Sequence, residues 1–134
     1  MIDTNVVISA FINPSGKPSQ IMKMILGRGA ELCYNSAILD EYESVMLRPK
    51  FSGKIDFGNI QRFISLIRNI GTSYYPIPGI TKLSQVILPD ESDRIFYDTA
   101  VGSGSILISG NIRHFPKEPF IMSPSDFLKQ IDSL

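Results

Sequence analysis

At about 100° per residue, the stretch DESDRIFYDTAVG (residues 90–102) puts Asp93 on the same helical face as Phe96, Tyr97 and Ala100. An acid at the N-terminal end of a face that should pack on a sheet needs a partner or a ligand. One reading makes Asp93 a complement to the helix N-terminus together with Asp90; the other gives it chemistry. Asp98, about 140° around the helix from Asp93 and four residues after Arg94, reads as a partner for that arginine. A second acid stands in ILDEYESVMLRPKF (residues 38–51), where Ile38, Tyr42, Val45 and Met46 share a helical face. Glu41 lies about 80° from the centre of that face and borders the core, while Asp40 points away and Glu43 lies about 120° off, as solvated surface. Asp3 in MIDTNV and Asn111 directly after ILISG stand at the ends of apolar runs. In open parallel sheets, ligands collect at the carboxyl ends of strands, where Asp3, Glu41, Asp93 and Asn111 can converge. Hard oxygen donors of this kind suit Mg²⁺ or Mn²⁺; without a cation, clustered carboxylates repel and take up protons.

The elements that must position these residues alternate along the chain. ELCYN (31–35), SYYPI (73–77), SILIS (105–109) and PFIMS (119–123) read as strands. Residues 17–28, 36–47, 57–70, 91–103 and 124–132 read as helices. Ser36 is the expected cap of the helix starting at Ala37, and Ser123 caps one whose first position is Pro124. The alternation predicts an α/β fold, a largely parallel sheet with helices on both faces. The opening is ambiguous: VVIS is β-branched, yet Thr4 can cap a helix running through Phe11.

The 134 residues, 43% of them apolar, fit a single domain, 1–134. Thirteen basic residues balance thirteen acidic ones, so any nucleic-acid contact must come from a local patch. Arg48, Lys50 and Lys54 form the one dense basic stretch and are the candidates for nucleic-acid phosphate contact, against the plainer reading of a solvated loop. Tyr42, Phe51, Tyr74 and Tyr75 can stack on bases, with core packing as the default. The single cysteine, Cys33, sits in an apolar run and suits a buried thiol in a reducing compartment. No basic region followed by an apolar stretch opens the chain, and nothing approaches the roughly 20 apolar residues that span a bilayer, so a soluble cytosolic protein with no membrane partner is expected.

In order and spacing, DTNVVISA, the EY of residues 41–42, DRIFYDTA and LISGNIRHF resemble the PIN-domain proteins, and more narrowly the PIN-family toxin components of bacterial toxin–antitoxin systems. Each fragment is weak alone; the ordered set spans residues 3 to 115. The resemblance implies a three-layer α/β/α sandwich with a central, mainly parallel sheet and a metal-dependent ribonuclease site. It puts the family's first three acids on Asp3, Glu41 and Asp93 and the fourth on Asn111, which is neutral here and leaves one metal or two open. It also decides the opening in favour of a helix capped at Thr4. Family members carry several residues before the first acid, whereas here Met1 and Ile2 alone precede it, so the first strand is very short or the start lies upstream.

The implied chemistry is phosphodiester hydrolysis, with a carboxylate-held Mg²⁺ (or Mn²⁺) lowering the pKa of a water and neutralising the developing charge. No side chain is a persuasive nucleophile, because the one histidine, His114, lies in a loop; it reads as an RNA contact or a structural group, with general acid the lesser reading. Asn5 and Ser109 are candidates to orient the metal ligands, or simply to cap backbone. The implied partners are an RNA substrate, an antitoxin protein and a second copy in a homodimer. Two other readings compete: a non-catalytic PIN-like module that binds RNA or a partner, and a receiver-type phosphate-binding domain. The second is disfavoured because SILISGNIRHF offers no lysine at its strand end.

Overall fold

Ile2 pairs with Ile108 in a parallel bridge, and the chain turns at once into α1 (Thr4–Ile12). The computed structural model describes every residue except Arg28, residues 76–85 and Leu134. Among the described residues there follow α2 (Lys17–Leu26), β1 (Cys33–Tyr34), α3 (Ser36–Met46), α4 (Phe57–Ile70), β2 (Thr72–Ser73), α5 (Arg94–Ser103), β3 (Leu107–Ile108), β4 (Ile121–Met122) and α6 (Pro124–Asp132). Short 3-10 turns cover Pro49–Phe51, Glu91–Asp93 and Ile112–His114.

The fold is α/β, and its described strand pairings are parallel: β1 with β2, β3 with β4, and Ile2 with Ile108. Among the described residues these pairings form two short pieces, and the chain is rich in helix. Each strand is shorter than the apolar run that announced it, although hydrogen bonds reach one residue further. Thr72 N–H donates to the Leu32 carbonyl at 2.8 Å, and Ser109 N–H to the Met122 carbonyl at 3.0 Å. Within the expected strand 73–77, residues 76 and 77 lie outside the described residues, as does Arg28 at the end of the expected helix 17–28.

The helices form where apolar spacing supplies a buried face. Ile60, Phe63, Ile64 and Ile67 of α4 follow the i, i+3, i+4, i+7 pattern and are buried, as are Ile38, Tyr42, Val45 and Met46 of α3. Phe63 meets Phe11 edge-on at 5.3 Å between ring centroids and Tyr42 at 6.1 Å, so one aromatic group joins α1, α3 and α4. Burial also explains why the β-branched TNVVISAFI is a helix: Val6, Val7 and Ile8 are all buried, and packing outweighs a weak local preference. Gly71 follows α4 where a Cβ would stand 2.8 Å from the carbonyls of both Ile67 and Leu32, so no other residue fits without a shift. Gly104 ends α5 in the left-handed region at φ 67°, the usual place for a glycine cap.

Three helix starts differ from expectation. Asp3, with extended backbone, holds the cap position of α1, and Thr4 is the first helical residue. Asn35, not Ser36, caps α3: its Oδ1 accepts from Ile38 N–H at 3.0 Å, while its Nδ2 donates to Thr99 Oγ1 at 3.0 Å and to the Tyr74 carbonyl at 3.1 Å. Asparagine wins because one side chain both accepts from the helix and donates across to α5. The expected helix 91–103 begins as the 3-10 turn Glu91–Asp93 before α5 proper. Ser123 does cap α6, accepting from Asp126 N–H at 3.1 Å, with Pro124 in the first turn. Among the described residues, no helix is long and apolar enough to cross a membrane.

Candidate active site

Asp3 leaves the Ile2–Ile108 bridge with its N–H donating to the Ile108 carbonyl at 2.9 Å, while its own carbonyl accepts from Val6 N–H at 3.0 Å. Tied on both sides, its carboxyl is held at the junction of strand and helix, 6% exposed. Ser109, fully buried just after β3, donates its hydroxyl to Asp3 Oδ2 at 2.7 Å and accepts Asn111 N–H at 3.0 Å. Glu41 projects half-buried from the flank of α3. Asp93 closes the 3-10 turn before α5, its side chain 15% exposed.

These acids come from separate elements and line one pocket of about 200 Å³, together with Asp90, Arg48 and His114. Thr4, Asn5, Ser92, Val45 and Phe96 complete its wall. Asp40, Glu43 and Asp98 are not part of it; Asp98 pairs with Arg94 at 3.6 Å, as its spacing indicated. Lys50 and Lys54 are exposed away from the pocket, with Lys50 Nζ 5.1 Å from the Phe51 ring centroid. Of the aromatic candidates, Tyr42 is wholly buried and donates its hydroxyl to the Ile2 carbonyl, whereas Tyr75 is exposed and donates to Ser36 Oγ at 2.6 Å. Asn111 stands one side chain back from the pocket: its Nδ2 lies 2.9 Å from His114 Nε2, and His114 Nδ1 lies 3.3 Å from Asp93 Oδ2. If the amide donates, Nε2 is the acceptor and the ring's proton sits on Nδ1, facing the carboxylate.

Burial and like charge set the electrostatics. Burial pushes the Asp93 carboxyl up to about 6, reinforced by the charges of Asp3 and Asp90 and opposed by His114. Asp3 is also raised, chiefly by burial, with the Ser109 hydrogen bond and backbone donors opposing. Asp90 is lowered, because Ser92 donates both its hydroxyl, at 2.8 Å, and its N–H, at 3.0 Å, to Asp90 Oδ1. Asp3 and Asp93 therefore resist ionisation in the absence of a counter-charge.

That donor set fits a hard divalent cation. The pocket offers carboxylate oxygens, and the Thr4 hydroxyl in its wall lacks a hydrogen-bond partner although shielded from solvent. Among the described residues, no three His, Cys, Asp or Glu side chains are drawn together as a ready-made metal site. Mg²⁺ does not require one, since it keeps several waters and takes one or two carboxylates directly.

Sequence reasoning overlooked Asp90 and Thr4. The sequence reads Asp90 as a helix-end complement, and it does cap the 3-10 turn; from that position it also lines the pocket. Thr4 was assigned a cap that Asp3 occupies, which leaves its hydroxyl unused.

A family model described as PIN domain matches residues 1–113. An uncharacterized protein of Methanocaldococcus jannaschii is 32% identical over 111 residues, which cover 83% of this chain and 69% of that protein. No solved structure matches significantly.

Proposed function

We propose, from the premise that this chain belongs to the PIN domain family, that it is a divalent-metal-dependent endoribonuclease. PIN domains are generally nucleases, and the coarse activity follows from membership. The observation that carries the finer reading is the shared pocket of Asp3, Glu41 and Asp93, three acids from distant parts of the chain. Mg²⁺ or Mn²⁺ is the proposed cofactor, with Asp3, Glu41 and Asp93 as its ligands. When bound, it supplies charge neutralisation on the phosphate and a more acidic water. The chain's own residues prepare the rest. Ser109 fixes the direction of the Asp3 carboxyl, and the tight backbone ties around Asp3 keep it from turning away. Arg48 lines the acidic pocket as a cation, placed to hold an RNA phosphate that the acids alone would repel. His114, held between Asn111 and Asp93, steadies the Asp93 carboxyl at the rim, while Lys50 and Lys54 extend the RNA path outside it.

The three-layer sandwich, the homodimer and the cytoplasmic toxin role with an antitoxin partner rest on the resemblance of DTNVVISA, DRIFYDTA and LISGNIRHF to PIN-family toxins. A small antitoxin gene upstream would support the toxin role. Neutral Asn111 favours the competing reading, a non-catalytic RNA- or partner-binding module. Incubating a panel of structured RNAs with the protein separates the two. The nuclease reading expects cleavage with Mg²⁺ or Mn²⁺ that is lost with chelator and in Asp3→Asn; RNA binding without cleavage by pure, folded protein would favour the module.

A further inference from the structure

We propose that Asp90 supplies the fourth carboxylate of the cation pocket, the role that residue 111 does not fill in this chain. The inference rests on the metal-dependent reading above and adds a residue to it. Asp90 lines the pocket with Asp3, Glu41 and Asp93, whereas Asn111 does not, being engaged with His114 Nε2. Its orientation is fixed: the Ser92 hydroxyl and N–H both bind Oδ1, so the carboxyl is anchored through one oxygen at the pocket wall. Asp90 caps the 3-10 turn that ends at Asp93, so one short turn brings both carboxylates to the pocket.

Acids alone would not make a site, and a second observation points to a ligand. Thr4 is 5% exposed, lines the same pocket, and its hydroxyl has no hydrogen-bond partner. Leaving a buried hydroxyl unpaired is costly, and a hydrated cation among the acids is the species whose waters answer it. Asp90 then provides the extra negative charge that hard-cation affinity requires when position 111 is neutral.

The test is a calorimetric Mn²⁺ titration of the full chain as wild type, Asp90→Asn, Asp3→Asn and the exposed-surface control Asp40→Asn. Asparagine retains the Oδ1 acceptor for Ser92 and caps as well as aspartate, so the turn is kept, and metal-free melting curves check it. Asp90→Asn should weaken Mn²⁺ binding about tenfold, Asp3→Asn should remove it, and Asp40→Asn should leave it within about twofold. If Asp3→Asn removes binding while Asp90→Asn binds like wild type, Asp90 is outside the site and the metal reading stands. If wild type binds no Mn²⁺, both fall.

Discussion

Replacing Asp93 by asparagine will stabilise the metal-free protein at neutral pH and give it nothing in acid. The Asp93 carboxyl is raised from its ordinary value of 3.8 to about 6, mainly by burial and then by Asp3 and Asp90. A carboxyl whose pKa is higher in the folded state favours folding in its protonated form. Its contribution is complete below about pH 3.8 and is lost as pH rises through about 6, so ionised Asp93 opposes folding at pH 7. A rise of about two units corresponds to about 3 kcal/mol at most, and water entering the open pocket screens it to about 1–2 kcal/mol. Asparagine keeps the shape and removes the charge, and Asp93 makes no side-chain cap bond that would be lost. For a domain of this size, the melting temperature of Asp93→Asn in chelator at pH 7 should exceed that of wild type by about 4–8 °C. At pH 3.5 the two should coincide. Thermal scans by circular dichroism at both pH values decide it. Equal shifts at both pH values, or a loss at pH 7, would refute the electrostatic account of the pocket.

Adding Mn²⁺ at a hundredfold excess over its Kd should stabilise wild type by about 2.7 kcal/mol, because the ligand binds the folded state alone. Asp3→Asn should show no such gain, and an equal gain would put binding elsewhere. Ser109→Ala removes the donor to Asp3 Oδ2 and the acceptor of Asn111 N–H, and chemical denaturation should show a loss of about 1–3 kcal/mol. Asn111→Asp places its new carboxylate against His114, not in the pocket, so its gain in Mn²⁺ affinity should be smaller than the loss caused by Asp90→Asn. A larger gain by calorimetry would return the fourth place to position 111.

What could be read in advance was whatever rests on a single helical period. The buried face of α3, the i, i+4 pairing of Arg94 with Asp98, and the serine–proline start of α6 all follow from local spacing, and all are present. The caps of α1 and α3 were misread because the choice between adjacent polar residues is made by distant partners. Asn35 is preferred over Ser36 since it also reaches Thr99, 64 residues away. Strand lengths were overstated for a related reason: burial makes a run apolar, but ladder hydrogen bonds depend on where the neighbouring strand departs. Asp90 is hidden because it is a cap with extended backbone, and no helical period assigns such a residue a face. The link from Asn111 through His114 to Asp93 joins residues whose contact depends on how the segment after β3 lies against the turn before α5.

The most direct test of the proposed centre is a crystal grown with Mn²⁺ and its anomalous difference map. The account predicts one principal peak in the pocket, with oxygens of Asp3 and Asp93 about 2.1–2.3 Å from it and Glu41 and Asp90 facing it directly or through water. Asp93 turned to bulk solvent on the side away from Asp3, or a pocket without density while Mn²⁺ occupies another site, would contradict it.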